Sequence, residues 1–291
     1  MTVMTVTGST STRATGGAPA LVVVAHGSRD PRALRTVNAL LDRVRALRPG
    51  LPVHLGHIEL NEPLLPDTLA ALGDGSAVLV PLLLSRGHHV KRDIPDMAAA
   101  SPARTRVAAP LGPHPLLVDA LHGRLLEAGW PTRAPRDAAV VLASAGSRDP
   151  DSRTDTTRTA ALLAARLGVP VLPAYASASS PTVPEAIRTL TARGHRRVAI
   201  ASYFTAPGRF ATESTTAARW ITSRPLGTHP AMARLLLHRY DRTLSAWDDD
   251  SAPRRGAGLY RLRLRRAGAT SHIRPAATRP QNPAHASVPT A

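Results

Sequence analysis

Three side chains able to carry protons or bind metal ions close three separate apolar runs early in the chain. His26 follows the run Leu21–Ala25, Glu59 ends a stretch that begins at Pro52, and His89 lies in the loop after the run from Ser76 to Leu84. Two imidazoles and a carboxylate make a nitrogen and oxygen donor set suited to a first-row divalent ion. The same groups accept protons near neutral pH. Taken singly, each has a plainer reading: a loop histidine held by hydrogen bonds, a solvated strand end, an exposed His88-His89 pair. It is their conjunction at three strand ends that points to chemistry, because ligands bind at the carboxyl edge of an open parallel sheet.

The elements that must position them follow from local pattern. LVVVA at 21–25 is the kind of short β-forming run presented by a strand buried on both faces. Asp30 is placed to cap a helix and Pro31 suits its first turn. Leu34, Val37, Leu40, Leu41, Val44 and Leu47 recur at helical spacing across Arg32–Arg48, and Pro49-Gly50 ends the pattern. Further strands are expected over 52–60, 76–84 and 105–109. Further helices are expected over 63–72, 91–100 (limited by Pro95) and 113–128. Such β-α-β-α alternation argues for a parallel sheet covered on both faces.

The pattern then recurs. AAVVLASAGSRDP at 138–150 echoes the opening stretch, GSRDP stands at 27–31 and at 146–150, and PLGTHP at 225–230 echoes PLGPHP at 110–115. Helices are expected over 153–167 and 182–193, strands over 169–175 and 197–203, and a closing helix to about Tyr240. The chain reads as a tandem duplication: a first copy over 18–131 carrying the active site, a degenerate second copy over 136–247, and a disordered basic tail over 248–291. Features present in both copies read as architecture, including His114 and His229 of the two LGxHP motifs. Features present in one copy are candidates for function. His26 aligns with Ala145, Glu59 with Ser177 and His89 with Phe210.

Composition narrows the classes. The chain has no cysteine, which removes disulfides, thiolate metal sites and cysteine-bound iron–sulfur clusters and fits a reducing compartment. No apolar run approaches a membrane span, and residues 1–19 lack the charged start and apolar middle of a signal peptide; a cytoplasmic location is expected. Net charge is +17, of which eight arginines in 251–291 supply +8 with no acidic residue to offset them. The remaining basic body suits an anionic ligand. The tail by itself suggests nucleic acid, but Lys91 is the only lysine in the chain, a bias toward Arg that weakens that reading.

HGSRDP at 26–31, IELNEP at 58–63 and PLLLSRGHHVKRDIP at 81–95 are collinear, and together the first copy resembles the sirohydrochlorin chelatases, the class II chelatases of sirohaem and cobalamin synthesis. The resemblance covers roughly 20–245. It implies an α/β fold of two tandem chelatase-like, flavodoxin-like domains, each a parallel four-stranded sheet flanked by helices. It implies insertion of a divalent metal, ferrous iron or cobalt, into sirohydrochlorin, with no permanently bound cofactor. The family's two catalytic histidines fall on His26 and His89 and its acidic residue on Glu59, and these three would also hold the metal. His57 is a departure, where the family shows a large apolar residue; an extra ligand and a filler are both open. Arg29, Arg86, Arg92 and Arg209, with Lys91 and Arg148, are available for the carboxylates of the macrocycle. Cobalt insertion and non-catalytic tetrapyrrole or metal binding are the alternatives. A histidine phosphatase would need Arg before His26, where Ala25 stands.

Overall fold

Alternate residues of the first strand face two different interiors, and the architecture grows from that. In the computed structural model, which describes residues 18–217 and 220–251, β1 (Ala20–Ala25) is buried along its whole length. Leu21, Val23 and Ala25 point into a large core, while Val22 and Val24 point into a smaller one with Leu65, Leu69, Leu79 and Ile94. A period of two over a continuous apolar run is what a central parallel strand requires. Around it run β2 (Val53–His57), β3 (Ser76–Pro81) and β4 (Arg104–Val107), all parallel, in the order β2-β1-β3-β4. The helices are α1 (Pro31–Leu47), α2 (Leu65–Ala71), α3 (Ile94–Ala99) and α4 (Pro115–Glu127). Asp30 caps α1 as its position suggests, accepting from the Arg32 N–H.

The second copy repeats this with β5 (Ala138–Ser144), α5 (Pro150–Leu167), β6 (Val171–Tyr175), α6 (Val183–Ala192), β7 (Arg197–Ser202), a short α7 (Arg209–Thr215) that the residue pattern does not signal, and α8 (Pro230–Ser251). Its sheet, ordered β6-β5-β7, has three strands among the described residues rather than the four expected of each copy. The fourth is reduced to a single parallel bridge, Ile200 to Thr222. At the neighbouring rung the Ser202 N–H donates to the Ser223 hydroxyl, and Pro225 follows, so the ladder does not propagate.

The closing helices are exchanged. α4 packs on α5 and β7 of the second copy, and α8 packs on α1, β3 and β4 of the first. The exchange is reciprocal at single bonds: Arg124 of α4 donates to the Leu226 carbonyl, and Arg239 of α8 to the Leu111 carbonyl. The large core therefore draws on both copies, from Leu21 and Val78 to Val140 and Leu236. α8 runs past Tyr240 to Ser251 because Leu244 and Trp247 continue its apolar face onto this core. No described helix is long and apolar enough to cross a membrane. Residues 248–251 of the expected disordered tail belong instead to α8, and the rest, from residue 252, lies outside the described residues.

His114 and His229 act as architecture. Each ring accepts at Nδ1 from the N–H two residues on, at Leu116 and Ala231, capping α4 and α8. Burial, with Arg239 and His238 beside it, brings His114 down to about 4, and burial also lowers His57, His122 and His229. The fold thus holds neutral histidines whose unfolded value is 6.5. Below that value the unfolded chain takes up protons that the native state refuses, so this contribution is complete above it and is lost as pH falls toward 4. Urea midpoints are expected to drop steadily from neutral pH into this window. His114→Asn, which keeps an acceptor for the cap, is expected to remove on the order of 2 kcal/mol of that pH dependence.

Candidate active site

β1 delivers His26 one residue beyond its buried end, and the next residue decides what stands beside it. Gly27 has φ of 103°, and a Cβ there would run into the Glu59 carbonyl. With glycine the two strand ends close up: the Ile58 N–H donates to the Ala25 carbonyl and the Glu59 N–H to the His26 carbonyl, at 2.9 and 3.1 Å. Glu59 Oε1 then lies 3.5 Å from His26 Nε2. Asn61 ties the same corner, accepting from the Ser28 N–H at 2.7 Å. Leu60 is left-handed, with φ of 67°, but so is Ala178 in the second copy, which marks this turn as scaffold rather than chemistry.

His89 arrives from the other side of β1. The loop after β3 enters a π-helical turn, His89–Asp93, that runs directly into α3. Pro95 has no N–H to continue a normal helical register, and the Ile94 N–H reaches back five residues to the His89 carbonyl instead. The helix therefore starts earlier than the spacing at 91–100 suggests. His26 and His89 meet edge to face, with ring centroids 4.8 Å apart and planes at 85°. Both remain partly exposed, 43% and 36% by side chain. His26 Nδ1 faces its neighbour's carbonyl, Gly27 O, at 3.3 Å, and His89 Nδ1 lies 2.6 Å from Asp93 Oδ2. A carboxylate only accepts, so His89 Nδ1 carries the hydrogen and its Nε2 keeps the lone pair, whereas His26 has an acceptor at each ring nitrogen, Gly27 O and Glu59 Oε1.

The two imidazoles line a cleft of about 1280 Å³ whose far wall comes from the second copy, including Ala145, Ser147, Ser177, Thr205 and Phe210. The residues aligned with the trio thus face it across the cleft without donor nitrogen or carboxylate. Among the described residues no three His, Cys, Asp or Glu side chains cluster tightly enough to cage an ion; His26 and His89 line the cleft, and Glu59, outside its lining, touches His26 alone of the two. His57 is 2% exposed and bonded through Nδ1 to the Pro63 carbonyl, and burial lowers its basicity. It is a wall residue, which favours the filler reading over the ligand one.

The basic candidates separate by partner. Arg86 is committed: it forms a bidentate pair with the buried carboxylate of Asp155, at 2.9 and 2.7 Å, and also approaches Asp151. Burial alone would raise Asp155, but the Arg86 side chain and amide outweigh it and hold the carboxyl below its ordinary value. Lys91 is likewise held by Asp149 and Asp151. These pairs clamp the His89 loop onto α5, and they correct the expectation that Arg86 is free for a ligand. Arg92 and Arg148 are exposed but are not part of the cleft lining. Arg29 lines the cleft, is exposed, and has no acidic partner among the described residues. Arg209 also lines it, lying over the Phe210 ring at 4.7 Å with Glu213 3.9 Å away.

Residue pattern alone missed Asp93, although its place four residues after His89 was visible. It also missed Tyr203, whose buried hydroxyl donates to the Leu84 carbonyl at the root of the His89 loop. Comparison with known proteins bears on the family. The chain matches CbiX twice, over residues 20–128 and 139–243. It belongs to the CbiX family. Its relatives include a sirohydrochlorin ferrochelatase of Bacillus subtilis, 33% identical over 181 residues, or 59% of this chain and 68% of that protein. A sirohydrochlorin cobaltochelatase of Methanococcus aeolicus is 36% identical over 81 residues, 27% of this chain and 57% of that protein. Among solved structures, SirB from Bacillus subtilis with Fe3+ superposes with a TM-score of 0.65 at 26% identity, covering 79% of this chain and 97% of that one. The doubled CbiX match agrees with the internal repeat, and both copies keep the family scaffold.

Proposed function

We propose that this CbiX-family chain is a cytoplasmic metal chelatase that inserts a divalent ion, ferrous iron in the first reading, into sirohydrochlorin. The observation that carries it is the pair of perpendicular imidazoles, 4.8 Å apart, at the edge of a cleft built from both copies. At about 1280 Å³ the cleft exceeds the roughly 300–1,000 Å³ of an ordinary small-ligand site, as a macrocycle demands. The ion and the macrocycle are both substrates, and no permanent cofactor enters the scheme.

The two histidines divide the work. Metal insertion releases two pyrrolic protons, and one nitrogen cannot hold the ion and take a proton at the same moment. His89 has its Nδ1 hydrogen committed to Asp93 and no partner at Nε2 among the described residues, so it presents its lone pair to the ion. His26, with Glu59 3.5 Å from Nε2, accepts a proton that the carboxylate stabilises and relays to solvent. A donor edge with few ligands releases its ion, as a transfer step requires. Arg29 and Arg209 are the basic residues left to pair with the carboxylates of the macrocycle.

Cobalt is the second reading, favoured by the likeness to the Methanococcus aeolicus cobaltochelatase and by a donor set that accepts either ion. Absorbance of sirohydrochlorin mixed with purified protein tests both, with ferrous iron under anaerobic conditions and with cobalt in parallel. Catalysed insertion of at least one ion is expected, and the faster ion assigns the reaction. Stoichiometric binding of the macrocycle with no rate above the protein-free background would identify a carrier instead and overturn the reading.

A further inference from the structure

Asp93 sits beside the site, outside the trio, and its geometry assigns it a task. Its Oδ2 lies 2.6 Å from His89 Nδ1, a charge-assisted contact at the short end of such bonds. Its Oδ1 stands 3.5 Å from Nε2 of His88, which is mostly exposed. The local backbone brings them together: His89 and Asp93 are the first and last residues of the π-helical turn. Single π turns of this kind recur at functional sites.

The second copy supplies an internal control. Where the first has His89 and Asp93, the second has Phe210 and Ser214 at the same spacing. The Ser214 hydroxyl is buried and has no hydrogen-bond partner among the described residues. The imidazole and the carboxylate four residues on are therefore absent together, although the glycine that starts the segment is kept, as Gly87 and Gly208. The matching segment of the second copy is α-helical over Arg209–Thr215, so the histidine, the carboxylate and the π-helical turn are found together in the first copy and not in the second.

We propose that Asp93 is a positioning residue: it fixes His89 in the Nδ1–H tautomer and holds the ring so that Nε2 faces His26 and the cleft. Free neutral imidazole favours hydrogen on Nε2, which would put an N–H where the ion must approach. The proposal rests on the chelatase reading for its kinetic consequence alone, and the tautomer can be read without any turnover.

Long-range proton–nitrogen correlation spectra of the nitrogen-15-labelled apoprotein, in mildly alkaline buffer, test it. Wild type is expected to show His89 protonated at Nδ1. Asp93→Ala is expected to move it to the Nε2–H form, and Asp93→Asn, whose side-chain oxygen still accepts, to retain the wild-type form. In the insertion assay Asp93→Ala is expected to lower kcat by about 10–100-fold with KM for the macrocycle unchanged, and Asp93→Asn to recover most of it. An unchanged His89 tautomer in Asp93→Ala, or a kcat equal to wild type, would overturn the proposal whatever the metal turns out to be.

Discussion

Replacing His89 with Ala is expected to slow metal insertion by about 10²–10⁴-fold, the range for losing one positioned group that acts on the reacting atoms. Among the described residues nothing stands ready to replace it: His88 has its imidazole largely in solvent, Asp93 is held on the Nδ1 side of His89, and Glu59 lies against His26. His26→Ala is expected to fall in the same range, and Glu59→Gln to cost less, since the carboxylate acts through an imidazole it does not tightly bind at 3.5 Å. None of the three is needed for packing, because all are partly exposed. Their variants should melt as wild type does, and initial rates by absorbance at saturating macrocycle separate this loss from one of affinity. A His89→Ala rate within a few-fold of wild type would remove His89 from the reaction.

Arg86→Ala is expected to be the costliest single change to stability around the cleft. Asp155 is 1% exposed, and without the guanidinium it keeps one backbone N–H, that of residue 86, against the charge of a buried carboxylate. Breaking a fully buried pair costs about 3–5 kcal/mol; Arg86 is itself 39% exposed, which lowers the expectation to about 2–3 kcal/mol. Asp155→Asn removes the stranded charge, so the double variant should be more stable than Arg86→Ala alone, and urea unfolding of the four proteins gives the coupling directly. The loop that Arg86 anchors carries His89 three residues on. Arg86→Ala is therefore also expected to slow insertion while the protein is still folded. A loss below about 0.5 kcal/mol, the level of an ordinary surface change, would mean that the pair does not clamp the two copies.

Much of this was legible in the sequence because the signals are local. A five-residue apolar run, an Asp-Pro cap and a repeated GSRDP specify β1, α1 and their copies with no knowledge of the rest, and the strand-end positions of His26, Glu59 and His89 follow. Non-local features were hidden. The closing helices α4 and α8 have apolar faces that suit either sheet, and nothing in their periodicity says that each covers the other copy's. Arg86 reads as a free cation in a loop because Asp155 lies 69 residues away. The missing fourth strand of the second sheet turns on one rung, where a serine hydroxyl takes a backbone N–H. Asp93 was within reach of local reasoning: an acid four residues after a histidine pairs with it on any helical turn.

The central claim is that a duplicated scaffold keeps its metal-handling groups in the first copy, on two histidines that face a second copy without them. Insertion of ferrous iron and of cobalt by the protein carrying both His26→Ala and His89→Ala tests this most directly, with thermal melting as the check on folding. The expected result is a rate at the protein-free background for both ions in a chain that melts like wild type. Turnover of either ion at the wild-type rate by that folded double variant would contradict it.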